Sequence, residues 1–185
     1  MKKLFTIIVC KVLKFVGGLL GKGSSLPGQI ALKLCPDILG RIELPKYIVA
    51  VTGSNGKTST VEMIAHILCE SGKKVAWNKE GSNQIEGVTT LILGSCTLSG
   101  KVKSDILLIE SDERFAKYTF KYITPTHYVI TNLYRDQLTR NGHPEWVYNA
   151  VKESIHPETQ LILNADDPLV SVSYTHLRAH ETLMN

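Results

Sequence analysis

The sequence predicts an α/β fold in which a parallel sheet with crossover helices is built around a phosphate-loop motif and preceded by an amphipathic helix. Three observations carry this. From Tyr47 onward, short aliphatic runs alternate with helical patterns, the order that gives a parallel sheet. The first run, Tyr47 to Val51, empties into the glycine-rich stretch Gly53-Ser54-Asn55-Gly56-Lys57-Thr58. A later run, Asp105 to Ile109, delivers the carboxylate of Glu110 at its C-terminal end, the edge at which open α/β sheets bind ligands.

The N-terminal segment comes first in the chain. Its 22 residues hold five lysines and no acid (Lys2, Lys3, Lys11, Lys14, Lys22). Lys11 and Lys14 interrupt the apolar run Leu4 to Cys10, so no uncharged stretch is long enough to span a bilayer, and the run is short for a secretory signal. At 100° per residue, Phe5, Val9, Val12, Val16, Leu19 and Leu20 share an apolar face opposite most of the lysines. Such a helix packs on its own domain or lies on an anionic membrane surface, and the sequence leaves both open. Residues 21–28 read as a linker and Ile30 to Leu34 as a short helical pattern. Residues 1–45 are therefore expected to be an appendage with little core of its own.

The loop after the first strand turns backbone N–H groups and a helix N-terminus toward one point, favouring a polyphosphate there. Lys57 adds a point charge, and Thr58 offers a hydroxyl to magnesium. Two residues separate the glycines where the common P-loop has four, and Val51 takes the place of its first glycine. The competing reading is a Gly/Asn turn before a helix with a surface lysine. The hydroxyl run Thr58-Ser59-Thr60 and the helix that follows fit the phosphate reading. In that helix Val61, Ile64, Ala65 and Leu68 recur at helical spacing, and Gly72 stands at its end as a cap.

Further strands are expected at Lys74 to Trp77, His127 to Thr131 and Gln160 to Leu163. Val88 to Leu93 favours a strand by propensity, but the crossover order requires a helix, and a helix is predicted there. Pro144 opens a helix with Trp146, Val147, Ala150 and Val151 on its apolar side. Glu110 is the candidate metal ligand beside Thr58, with Asp112 and Glu113 close enough to compete for that role. Two polar clusters, Thr131 to Leu138 and Leu163 to Pro168, follow successive strands. Either alone is ordinary turn chemistry, and together they point to one crevice.

The whole chain is 185 residues, 43% hydrophobic and 21% charged, with net charge +4, the balance of a globular domain. The basic excess sits in the first 22 residues and no nucleic-acid motif is present, so no nucleic-acid partner is expected. Cys10, Cys35, Cys69 and Cys96 lack metal-ligand or disulfide spacing and read as thiols in a reducing cytoplasm.

The set GSNGKTST, LLIESDE, TNLYRDQL and LNADDP, in this order and spacing, resembles the central ATPase domain of the Mur ligase superfamily. Within it the likeness is to the MurT branch, because Arg135-Asp136-Gln137 stands where many Mur ligases carry a histidine. The likeness covers about residues 1 to 170. It implies an ATP-dependent amide-forming ligase of peptidoglycan synthesis, cytoplasmic or at the inner membrane face. Such a ligase activates the α-carboxylate of D-glutamate in the lipid II stem peptide as an acyl phosphate, and ammonia comes from a GatD-like glutaminase partner. It implies ATP and magnesium as cofactors, with Lys57 and Glu110 catalytic and Thr58 and Glu110 on the metal. Gly53, Ser54, Asn55, Gly56, Lys57, Thr58, Ser59, Asn164 and Asp167 are the implied nucleotide contacts, and Gly81-Ser82-Asn83 resembles a loop beside the acceptor.

The branch continues into a four-cysteine zinc ribbon and a closing C-terminal domain, so zinc is expected only downstream. The domain expectation is an N-terminal segment over 1–45, a partial central ATP-binding domain over 46–170, and a non-native tail over 171–185. That tail resembles a translated sequencing adapter, so His176 and His180 are not read as metal ligands. Activity of the fragment alone is expected to be absent. The alternatives are a folylpolyglutamate- or cyanophycin-synthetase-like ligase and a nucleotide-binding scaffold without chemistry.

Overall fold

The computed structural model describes residues 1–19, 25–78, 82–133 and 144–171. Two N-terminal helices, α1 (Lys2–Leu19) and α2 (Leu26–Leu34), lead through a 3-10 turn at Ile38–Arg41 to the sheet. The rest alternates as β1 (Tyr47–Thr52), α3 (Lys57–Glu70), β2 (Val75–Trp77), α4 (Ile85–Ser95), β3 (Ile106–Glu110), α5 (Ala116–Thr119), β4 (His127–Ile130), α6 (Pro144–Lys152) and β5 (Gln160–Leu163). All four strand pairings are parallel and the order is β2-β3-β1-β4-β5. The expected strands are all present, within a residue of their predicted ends.

The connection leaving β1 runs past β3 to β2 at one edge of the sheet, and the one leaving β3 runs the opposite way, past β1 to β4. Their C-terminal ends therefore flank the switch point where such sheets open a crevice. In the β1–β3 register Val51 pairs with Glu110, which places that acid beside the loop that leaves β1.

On one face of the sheet, Val51 and Leu108 are buried against Val61 and Ala65 of α3. On the other, Ile48, Ala50, Leu107, Ile109 and Tyr128 join a larger core with α4 and α5. Within α4, residues Gly87 through Leu93 are all buried. A helix covered all round has no polar stripe, which explains why Val88 to Leu93 looks like a strand by composition. Its outer side is covered by α2 and α1. The α2 crossing is close, since Gly28 N–H donates to Thr90 Oγ1 at 2.8 Å and a β-carbon on Gly28 would collide with Glu86 O.

This corrects the expectation for the first 45 residues. Ile7, Cys10, Ala31, Ile38 and Leu39 belong to the main core, each no more than 1% exposed, so the segment is a layer of the domain. The stretch 21–28 is a linker only in part, because α2 already begins at Leu26 with Pro27 in its first turn, where proline needs no hydrogen-bond partner. The sequence left open whether the apolar face of α1 packs on its own domain, and in the structure most of that face does not. Thr6, Ile7 and Cys10 are buried, whereas Phe5, Val12, Val16 and Leu19 are exposed. Two lysines share the packed side with Thr6, Ile7 and Cys10. Lys11 Nζ donates to Gly94 O at 3.0 Å, and the Lys14 side chain lies against the same glycine, so two cations meet the negative C-terminal end of α4.

One smaller correction concerns α6, and the cysteines are free as expected. Trp146 is half-exposed on α6 although Val147, Ala150 and Val151 are buried as predicted. Cys69 is exposed, while Cys10, Cys35 and Cys96 are buried, and all four are free thiols.

Candidate functional site

The loop between β1 and α3 is held by the end of β4. Ser54 N–H donates to Asn132 O at 2.9 Å, Asn55 N–H to Asn132 Oδ1 at 2.9 Å, and both Thr131 Oγ1 and Asn132 Nδ2 donate to Asn55 O at 2.9 Å. Gly53 and Gly56 make the turn possible with φ of 138° and 80°, values in the left-handed half of backbone space that favour glycine. The first intrahelical bond of α3 joins Thr60 N–H to Gly56 O, and no side chain caps this helix end. Thr58 and Ser59 stand exposed in its first turn, which contains no acid. An uncapped helix N-terminus behind a glycine turn is suited to an anion.

Lys57 folds back over this loop. Its ammonium donates to Gly53 O, to Ser54 O at 3.3 Å and to Glu113 Oε2 at 3.2 Å. Both side chains of the ion pair are nearly buried, Lys57 at 13% and Glu113 at 6% exposure.

The acids after β3 divide into three environments. Glu113 is paired with Lys57. Asp112 is held by Arg114, whose Nε and Nη2 lie 3.0 and 2.8 Å from its two oxygens. Burial alone would raise the Asp112 carboxyl, but hydrogen bonds from the Arg114 side chain and backbone outweigh it and hold the carboxyl below its ordinary value. Glu110 is buried to 2% exposure, and its Oε2 has no hydrogen-bond partner among the described residues. A buried carboxylate oxygen without a donor is costly unless something outside the chain completes it. Of the three, Glu110 is the one with a buried oxygen that has no partner among the described residues and no pairing with a lysine or arginine, so its chemistry fits a magnesium ion best.

Magnesium keeps most of its water and takes one or two protein oxygens beside phosphate, so Glu110 and the Thr58 hydroxyl are a sufficient donor set. No cluster of three or more His, Cys, Asp or Glu among the described residues is placed to hold a metal by itself.

Asn78, at the end of β2, was not singled out from the sequence. Its Oδ1 accepts Glu110 N–H at 2.8 Å, and its Nδ2 donates to Glu110 O at 2.9 Å and Ser82 O at 2.8 Å. It therefore fixes the backbone that carries Glu110 and ties it to the loop before α4. Asp112 N–H donates to Asn83 O at 2.9 Å in the same junction. A lone asparagine leaving a three-residue strand carries no motif, and only the sheet order brings it to β3.

Asn164 and Asp167 lie after β5. Asn164 Nδ2 donates to Thr131 O at 2.9 Å, bringing it to the β4 end that holds the loop. Asp167 is 1% exposed and accepts Leu133 N–H on one oxygen and Leu169 and Val170 N–H on the other, so its carboxylate ties the backbone leaving β4 to the turn that follows β5. Gly81 and the cluster Arg135-Asp136-Gln137 lie outside the described residues.

The model of the Mur ligase middle domain matches residues 51–183. The MurT subunit of lipid II isoglutaminyl synthase (glutamine-hydrolyzing) from Streptococcus pneumoniae (strain ATCC BAA-255 / R6) is 40% identical over 157 residues, covering 84% of this chain and 35% of the relative. The subunit of the same name from Staphylococcus aureus (strain COL) is 35% identical over 191 residues, covering 97% of this chain and 43% of the relative. The chain thus spans well under half the length of these relatives. Among solved structures, MurF ligase from Thermotoga maritima in complex with ADP matches at TM-score 0.63 and 22% identity over 82% of this chain and 35% of that one. A folylpolyglutamate synthetase in an "FPGS-AMPPCP-folate complex" matches at TM-score 0.55 and 18% identity, over 77% and 45%. At these identities both likenesses concern the fold alone.

Proposed function

Because this chain belongs to the Mur ligase family and carries its middle domain, we propose that it is the ATP-binding part of a MurT-type lipid II isoglutaminyl synthase subunit. The observation that carries the reading is the unsatisfied Glu110 oxygen at the end of β3, in register with Val51 on the strand that leads into the Lys57 loop and the uncapped α3 N-terminus. The backbone amides from Gly53 to Ser59 receive the ATP phosphates, and Asn164 borders the same pocket. Thr58 and Glu110 hold the magnesium that accompanies ATP, and that ion supplies neutralisation of phosphate charge. Lys57 exchanges its contacts on Gly53 O and Ser54 O for phosphate oxygens. It thereby places positive charge where negative charge grows during transfer.

The reaction is activation followed by amidation. An oxygen of the D-glutamate α-carboxylate in the lipid II stem peptide attacks the γ-phosphorus, the bond to ADP breaks, and an acyl phosphate forms. Ammonia from a GatD-like glutaminase subunit then attacks the acyl carbon, phosphate leaves, and a proton is lost to give the amide. A glutamine-hydrolysing activity stands in the names of both MurT relatives, which supports ammonia as the nucleophile. The chain spans only part of those relatives' length, so turnover is assayed on the full-length subunit.

The test is calorimetric titration of this chain with MgATP, and of its Lys57→Ala variant, together with ADP release by the full-length subunit given lipid II, glutamine and its glutaminase. Saturable binding, lost in the variant along with ADP release, is expected. Equal affinity in both proteins rejects the site. Binding without ADP release in the complete assembly selects the scaffold alternative.

A further inference from the structure

Helix α1 presents its apolar side outward. Leu4, Phe5, Ile8, Val12, Phe15 and Leu19 are all exposed, Phe15 to 71% and Leu19 to 73%. At 100° per residue they fall in one arc with Met1 and Val16, and no polar residue of α1 falls inside it. Lys2 and Lys11 border that arc, while Lys3, Lys11 and Lys14 reach back toward the domain at Gly100 and Gly94. A helix that turns lysines to protein and phenylalanines to water leaves a contiguous apolar patch of the kind that marks an interaction surface.

We propose that this face docks on an anionic lipid bilayer, with α1 lying in the plane of the headgroup and acyl boundary. Three observations choose this occupant. Charge is the first: residues 1–46 hold eight Lys or Arg against two acids, net +6, whereas the remaining residues hold thirteen against fifteen, net −2. The end of the molecule bearing the apolar face is thus the cationic one, complementary to anionic headgroups.

The second is size. An 18-residue helix gives a stripe about 27 Å long and about 10 Å wide, a few hundred Å² for each partner, against roughly 800 Å² in a stable protein interface. A second copy of the chain seated on α1 alone falls short of that. A bilayer has no such threshold, because apolar helix faces insert individually.

The third is topology. Four lysines in α1 exclude a span, and no helix among the described residues is long and apolar enough to cross a membrane, so the helix lies on the surface. The choice also draws on the lipid-linked acceptor proposed above, since docking would hold the crevice near a membrane-bound substrate.

The test is vesicle flotation of the full chain, with no nucleotide or acceptor present, so that its failure is separate from failure of the ligase reading. The wild-type chain is expected to float with phosphatidylglycerol-rich vesicles and far less with phosphatidylcholine alone. Phe5→Glu with Phe15→Glu should reduce partitioning about tenfold or more at an unchanged melting temperature, because both side chains are exposed. Phe5→Leu with Phe15→Leu should retain it. In the full-length protein, Phe15→Trp should gain a fluorescence component quenched by acyl-brominated lipid.

Absence of flotation, or equal flotation of the glutamate variant, overturns the proposal. So does a wild-type dimer that the glutamate variant converts to monomer without any vesicle binding, which assigns the face to a second copy. An unquenched fluorescence signal from the Phe15→Trp variant of the full-length protein assigns it to downstream residues of the chain itself.

Discussion

Gly53 and Gly56 both have positive φ, yet the structure predicts very different costs for replacing them with alanine. At Gly56, φ is 80° and a β-carbon would have no heavy atom within 4 Å, so only the backbone penalty applies, about 1 to 2 kcal/mol. At Gly53, φ is 138° and the β-carbon would collide with Thr131 Oγ1 and lie 2.8 Å from Asn132 O and 3.0 Å from Asn132 N. Backbone atoms cannot rotate away as a side chain can, so about 1 to 3 kcal/mol of overpacking adds to about 2 kcal/mol of conformational strain.

The total for Gly53→Ala is about 3 to 5 kcal/mol. At about 2 to 4 °C per kcal/mol for a domain of this size, that is a melting temperature lower by roughly 6 to 20 °C, against roughly 2 to 8 °C for Gly56→Ala. The same substitution also pushes apart the loop and the β4 end, so the Asn132 bonds to Ser54 and Asn55 should weaken and MgATP affinity fall with stability. Gly56→Ala should keep the fold and lose affinity mainly through crowding of the anion position. Thermal unfolding followed by circular dichroism, paired with MgATP titration, measures both quantities. Equal melting temperatures for the two variants would refute the claim that the end of β4 clamps the loop.

Other perturbations separate the remaining parts of the site and the fold. Glu110→Gln should raise the magnesium concentration needed for half-maximal nucleotide binding about tenfold or more, a scale seen even for residues that merely support a metal ligand. Asn78→Ala should move the same titration in the same direction while also costing about 1 to 3 kcal/mol for the unpaired Glu110 amide. An unmoved magnesium titration in both variants removes this pair from the site.

Asp112 has a depressed carboxyl pKa in the folded state, so its contribution to stability is complete above the ordinary value of 3.8 and is lost as pH falls through the lower folded value. The destabilisation by Arg114→Gln should therefore be largest near neutral pH and shrink in acid, and a difference constant across pH would show that Arg114 acts through packing. Ile7→Ala should cost about 2 to 5 kcal/mol in chemical unfolding, as a fully buried core residue does. An effect under about 0.5 kcal/mol, the scale of surface substitutions, would return α1 to the status of an appendage.

Strand positions were legible because aliphatic runs such as Ile106 to Ile109 are buried on both faces in a parallel sheet, and burial selects composition directly. The phosphate loop was legible for a different reason. Gly53 and Gly56 hold backbone conformations few other residues adopt cheaply, so the site marks the sequence locally. Family membership followed from these motifs and their spacing, and the comparisons agree with it.

Only the tertiary structure decided which acid stands unpaired, because Glu110, Asp112 and Glu113 are chemically alike as letters and differ through Arg114 and Lys57. It alone brought Asn78 to Glu110 on the neighbouring strand, and gave Asp167 its position tying the β4 and β5 ends together. It also decided which side of α1 packs, a question the sequence left open. Helical periodicity identifies an apolar face but not what meets it, and here Ile7 and Cys10 enter the core, Lys11 and Lys14 meet the C-terminal end of α4, and Phe5 and Phe15 face outward.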